Sequence, residues 1–223
     1  MLGAFSWSFL ADHSGELAHG LRLTLEVSAL GIAGAYGIGI LLGAARAARV
    51  PVVSQLAAIY VELIRNTPIL VQIFLLFYGL PELFDFHLTP FVTAWLAVTV
   101  WGGAFNTENF RAGFEAVPRR YREAALALGF RSVPTFFVVT FPVGGRYALP
   151  STINTSVSVL KNTALTTAIG FPELTNTAYS IESVTFRAVE VYSALAVTYL
   201  VVVWTLSAVM RVVESRLAIP GTP

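Results

Sequence analysis

The chain has 223 residues, 56% of them hydrophobic and only 12% charged, with a formal net charge of +1. A soluble domain carries about 25% charged residues, so disordered and collagen-like chains and almost any soluble enzyme are excluded. The balanced charge gives no bulk field for nucleic acid, and the absence of cysteine excludes disulfides, thiolate metal sites and a cysteine nucleophile.

What remains is an all-α membrane protein of about five transmembrane helices, each needing about 20 residues. The stretch Met1 to His19 carries Asp12 and Glu16 and no basic leader with a cleavage site, so it does not read as a removable signal peptide. The first apolar run, Leu21 to Ala45, places small residues every four positions at Gly31, Ala35, Gly39 and Gly43. That spacing makes a smooth ridge on which another helix approaches closely. In the second run, Val52 to Leu80, Pro68 predicts a kink or break, because the residue before a proline is pushed away from helical angles. Glu62 and Arg65 stand three apart on one helical face there, within pairing reach. The third run, Pro90 to Ala104, continues helically toward Gly113 and puts Glu108 and Arg111 at the same spacing. The fourth runs from Pro134 to Leu160 and the fifth from Val191 to Met210. His13, His19 and His87 lie near span ends without metal-ligand spacing and read as interfacial residues.

Arginine placement orients the spans. Arg46 and Arg49 follow the first, Arg111, Arg119, Arg120, Arg122 and Arg131 separate the third from the fourth, and Arg211 and Arg216 follow the fifth. The loop Pro81 to Thr89 carries Glu82 and Asp85 and no basic residue. By the positive-inside rule the arginine-rich segments are cytoplasmic, with the N-terminus outside and the C-terminus inside.

The segment Glu115 to Pro142 reads as helix, turn, helix. Pro118 suits a helix start, Tyr121 to Leu128 is rich in alanine and leucine, and Gly129 suits a left-handed C′ position. Ser132 is placed to cap the next helix, with Pro134 in its first turn. A helix with a small face (Ala124, Ala125, Ala127) and a charged face suits a groove on a partner; a solvated connecting helix is the alternative.

Glu123-Ala124-Ala125, Gly129 and Val139-Thr140-Phe141-Pro142 resemble the EAA loop of ABC importer permeases, E-A-A-x3-G-x9-I-x-L-P, with Val139 for Ile and Phe141 for Leu. Arg65-Asn66-Thr67-Pro68-Ile69-Leu70-Val71-Gln72 is similar to the R-G-T-P-L-L-V-Q stretch of the polar amino-acid uptake subfamily, with Asn66 where glycine is usual. Leu160 to Leu165 and Ile169 to Thr175 are similar to its L-K-D-T-S-L and I-G-x-x-E-L segments.

The resemblance implies a type I ABC importer permease fold, one permease domain over residues 1–223, with residues 115–142 as a cytoplasmic coupling loop. It implies a subunit without chemistry of its own, and no G-x-x-x-x-G-K-[ST] phosphate loop occurs. The implied partners are two ABC ATPase subunits, a second permease of the same or a different kind, and an extracytoplasmic amino-acid-binding protein. ATP and Mg are then used by the ATPase, with no cofactor on this chain. The implied location is the cytoplasmic (inner) membrane of a bacterium or archaeon, and the implied coupling residues are Arg119, Arg122, Glu123, Ala124, Ala125 and Gly129.

Lys161 is the sole lysine and closes an apolar helix. It either snorkels to the interface or belongs to a solute site at an irregular Lys161-Asn162-Thr163 turn with free backbone groups. Asn162 stands where the family often has aspartate, which argues against a basic solute; Lys161 favours an acidic or amide side chain. Glu62, Arg65, Thr67 and Gln72 line the same pathway on this reading, or Arg65 sits structurally at the inner headgroups. Glu173 is expected in the first turn of a short outer helix, with docking of the binding protein as a weaker role. Trp95, Trp101, Trp204, Tyr192 and Tyr199 read as lipid-facing or packing residues. An ion-gradient-driven secondary transporter or a channel is the alternative function; an intramembrane hydrolase lacks a matching Ser and His pair.

Overall fold

A computed structural model describes residues 5–217, which contain helices and connecting turns and no strand. Met1 to Ala4, the start of the stretch weighed as a leader, lie outside the described residues. In chain order the helices are α1 (Trp7–Asp12), α2 (Ser14–Ala47), α3 (Val53–Arg65), α4 (Ile69–Phe74), α5 (Leu80–Phe84) and α6 (Pro90–Glu115). They continue with α7 (Arg119–Ala127), α8 (Ser132–Thr135), α9 (Phe141–Asn162), α10 (Leu174–Thr185) and α11 (Ala188–Leu217).

All five apolar runs are helical. Helices α2 and α11 are by themselves long and apolar enough to cross a membrane, and Val53–Arg65 with Ile69–Phe84 qualifies as a broken pair. The break falls at Pro68, whose ψ of 134° takes the chain out of helical geometry between α3 and α4. Two further prolines shape their helices more gently. A π-helical turn, Leu75–Gly79, joins α4 to α5 just ahead of Pro81, and another, Phe136–Thr140, joins α8 to α9 just ahead of Pro142. The N–H groups of Leu80 and Phe141 reach back to the carbonyls of Leu75 and Phe136, five residues away. A proline has no N–H to give, and a wider turn immediately before it keeps the helix running.

The described residues form two compact units. One comprises residues 5–32, 68–99 and 157–206, the other 33–67, 100–156 and 207–217. Helices α2, α6, α9 and α11 each contribute to both.

In the first unit, a Cβ on Gly31 of α2 would lie 2.5 Å from Val98 Cγ2 of α6, so the two helices meet at backbone distance. Ala178 and Ile181 of α10 and Val191 of α11 form a buried cluster with Phe9, Leu17 and Leu195 around it. In the second unit the same ridge continues. A Cβ on Gly39 would lie 2.5 Å from Asn106 Cβ, and one on Gly43 2.7 Å from Phe110 Cβ. Ala35 is buried beside them, so the small-residue face of α2 is a packing face. Phe110, Phe114 and Ala148 make the core here, with the Phe114 and Phe136 rings edge to face at 5.4 Å.

Candidate coupling and solute sites

Helix α7 carries the predicted coupling residues. Its last turn closes in a Schellman arrangement: Gly129 N–H donates to Leu126 O at 3.0 Å and Phe130 N–H to Ala125 O at 3.1 Å. Gly129 has φ 88°, the left-handed conformation expected from the sequence. No neighbour lies within 4 Å of where its Cβ would be, so backbone angle alone selects glycine here.

The alanines of α7 do not share one face. Ala125 is buried against its own unit, while Ala124 and Ala127 are exposed. Tyr121, Leu126, Leu128 and Phe130 are exposed alongside them, an apolar surface on a segment whose charged residues include Arg120 and Glu123. Ser132 does not cap the next helix; Arg131 occupies the N-cap of α8, without a side-chain cap hydrogen bond.

The same unit holds a charge cluster. Glu108 of α6 pairs with Arg46 of α2 and with Arg111 (Nη2 to Oε2 2.8 Å), and Arg111 Nη1 donates to Glu115 at 2.6 Å. Helical spacing alone brings Arg111 between the two glutamates. Nearby, Asn109 Nδ2 donates to Thr155 Oγ1 of α9 at 2.9 Å and to Asn106 Oδ1 at 3.2 Å.

Glu62 and Arg65 do not pair. The Glu62 carboxylate accepts from Asn66 Nδ2 at 2.9 Å, and the Arg65 guanidinium lies 5.0 Å from the centroid of the Phe105 ring. Asn66 competes because it sits at i+4 from Glu62, and the Phe105 face offers the cation a second attraction.

In the first unit, Lys161 and Asn162 end α9, and the chain tightens into a 3-10 helix, Thr163–Ile169, closed by Gly170 at φ 70°. This corrects the irregular turn expected there. Thr163 Oγ1 donates to Leu160 O at 2.7 Å and Thr166 Oγ1 to Thr163 O at 2.6 Å, so hydroxyls occupy carbonyls that a broken helix would leave open. Lys161 is exposed and lines an apolar groove of about 410 Å³ with Ala164, Ala196, Tyr199, Leu200 and Val203. Gln72 is buried on α4, which packs against the 3-10 helix.

Glu173 is 0% exposed and caps α10 rather than occupying its first turn. Its carboxylate accepts from Asn176 N–H (2.8 Å), Thr175 N–H (2.9 Å) and Tyr199 Oη of α11 (3.0 Å), with Thr24 Oγ1 of α2 at 3.5 Å. Thr24 Oγ1 in turn accepts the N–H of Leu174 at 3.1 Å. Burial pushes the Glu173 carboxyl above its ordinary value, and the donors from Thr175, Asn176 and Tyr199 pull it back. With no surface to offer, Glu173 fastens α2, α10 and α11 together and does not meet a docking protein in this conformation.

Of the seven predicted pathway residues, Gln72, Lys161, Asn162 and Thr163 fall in the first unit and Glu62, Arg65 and Thr67 in the second. The sequence reading missed Tyr199 as a polar partner, and Asn106, Asn109 and Thr155 altogether. A cluster of amide residues in an apolar run, Asn106 to Asn109, is the signal that marked the latter.

Known proteins share this fold. The family model described as the binding-protein-dependent transport system inner membrane component matches residues 35–219. The glutamine transport system permease protein of Escherichia coli strain K12 is 36% identical, over 96% of this chain and 99% of its own length. A crystal structure of an amino acid ABC transporter with histidines superposes with a TM-score of 0.86 at 29% identity, covering 95% of this chain and 98% of that one. The MetNI methionine ABC transporter, inward facing, shares the fold at a TM-score of 0.81 and 16% identity, over 93% of this chain and 99% of that one. With a type I importer permease fold and a family match over most of its length, the chain belongs to the inner membrane components of binding-protein-dependent transport systems.

Proposed function

We propose that the chain is the transmembrane subunit of an ATP-driven importer that moves a polar amino acid across the cytoplasmic (inner) membrane of a bacterium. The observation that carries the reading is α7, a short helix with a fixed left-handed stop at Gly129 and an exposed surface of Tyr121, Ala124 and Leu128. Two ABC ATPase subunits dock there, with Arg119, Arg122, Glu123, Ala124, Ala125 and Gly129 as the coupling residues. ATP and Mg act on those subunits, and this chain binds no cofactor. A second permease subunit completes the pathway, and an extracytoplasmic binding protein delivers the amino acid.

An acidic or amide side chain is favoured over a basic one. Asn162 supplies no carboxylate for a cationic solute, Lys161 attracts the opposite charge, and a glutamine permease is 36% identical. Lys161, Asn162, Thr163 and Gln72 form one part of the solute pathway and Glu62, Arg65 and Thr67 another.

Two measurements test this. Glutamine uptake is expected to be competed by glutamate or asparagine and not by arginine or histidine; the reverse order overturns the solute assignment. Gly129→Asp is expected to insert in the membrane and lose co-purification of the ATPase. Normal co-purification removes α7 from the docking role.

A further inference from the structure

Helix α9 has the length to cross a membrane but, unlike α2 and α11, not the apolar composition. The difference lies on its exposed side. On α11 the exposed side chains include Val197, Leu200, Val201 and Trp204, an apolar face suited to lipid. On α9 they include Arg146, Ser151, Asn154 and Lys161, with Tyr147 and Ser158 half-buried beside them. Tyr147, Ser151, Asn154, Ser158 and Lys161 recur at alternating steps of four and three, so helical geometry lines them up along one face. The opposite face is packed. Ala148, Ile153, Val159 and Leu160 are buried there, and the buried Thr152 and Ser156 hydroxyls donate to carbonyls of α9 itself.

Polar side chains on the outside of a spanning helix face a protein partner or water rather than hydrocarbon. Arg146 and Lys161 decide between the two. Neither has an ion-pair partner among the described residues, and a dry contact would strand both charges. We infer, taking the chain as an importer subunit, that this face of α9 lines the water-filled solute passage and that Ser151 and Asn154 touch the solute as it moves. A hydroxyl and an amide each donate and accept, so they replace the hydration of a polar solute without holding it by charge. Arg146 and Lys161 give the same face a positive bias, which disfavours a cationic solute.

The chain has no cysteine, so a single introduced thiol reports its own surroundings. The test uses Ser151→Cys, Asn154→Cys and, on the apolar face of α11, Val201→Cys, each in proteoliposomes with the ATPase and binding protein. Uptake before modification shows that a variant is assembled; Ser151→Cys is nearly isosteric and carries the test if Asn154→Cys does not assemble. A charged, membrane-impermeant methanethiosulfonate on both sides is expected to label Ser151→Cys and Asn154→Cys and to abolish their ATP-driven glutamine uptake, with saturating glutamine slowing the labelling. Val201→Cys and the cysteine-free wild type should keep their uptake. Absence of labelling at both α9 positions overturns the inference, because the face then meets lipid or packed protein. So does labelling that leaves uptake intact, which puts the face in water off the route of the solute. A disulfide joining two permease subunits through either thiol, formed in place of labelling, overturns it in favour of a dry subunit contact. Uptake driven by an ion gradient without ATP would instead overturn the importer reading and leave the labelling pattern standing.

Discussion

Glu173 and Glu108 are both removed from most of the solvent, and the chain compensates them in opposite ways. Glu173, in the first unit, is fully buried and meets only neutral donors: two backbone N–H groups and the Tyr199 and Thr24 hydroxyls. Glu108, in the second, keeps 18% side-chain exposure and meets two guanidinium groups, Arg46 and Arg111. Neutral donors are directional, so the Glu173 node fixes where α2, α10 and α11 lie. An ion cluster tolerates displacement, because Coulomb attraction falls off slowly and Arg111 already has a second carboxylate in Glu115. The directional node lies beside the Lys161 groove, through Tyr199, and the ion cluster lies in the unit that carries α7.

The largest effect is expected at Glu173. Glu173→Ala strands two buried N–H groups and a hydroxyl and removes a helix cap, and is expected to cost about 3 kcal/mol. Thermal unfolding of the detergent-solubilised complex reads this, and Glu173→Gln, which keeps one acceptor, should lose about half as much. Glu108→Gln comes next, at about 2 kcal/mol, since Arg46 loses its carboxylate while Arg111 keeps Glu115. Tyr199→Phe removes one of several donors to Glu173 and should cost about 1 kcal/mol by the same melt. Smallest is the effect of Glu115→Gln, about 0.5 kcal/mol at low salt and less at high salt, because this pair is half exposed. A Glu173 variant whose loss also shrinks with salt would erase the distinction between the two nodes.

The fold was readable from the sequence where chemistry is local. Pro68 breaks the second run, Gly129 stops α7, and Gly31, Gly39 and Gly43 mark where α6 approaches, each for a steric reason contained in the residue itself. The turn after α7 was legible for the same reason: it is closed by hydrogen bonds within six residues. The Glu173 node was not, because Thr24 and Tyr199 stand far from it in the chain and an apolar run gives no sign of which hydroxyl turns inward. Glu62 and Arg65 show the limit of spacing arguments. Their three-residue separation permits a pair, but Asn66 and the Phe105 ring offer each a better neighbour. The π-helical turns precede Pro81 and Pro142, whereas Pro150 sits within continuous α-helix in α9, so a proline alone does not tell a break, a widened turn and an intact helix apart.

The most direct measurement is uptake of labelled glutamine into proteoliposomes holding this chain with its ATPase and binding protein. Accumulation is expected only when ATP and Mg are supplied to the ATPase side, and is expected to be lost in Gly129→Asp. Accumulation driven by an ion gradient without ATP would contradict it and make the chain a secondary transporter.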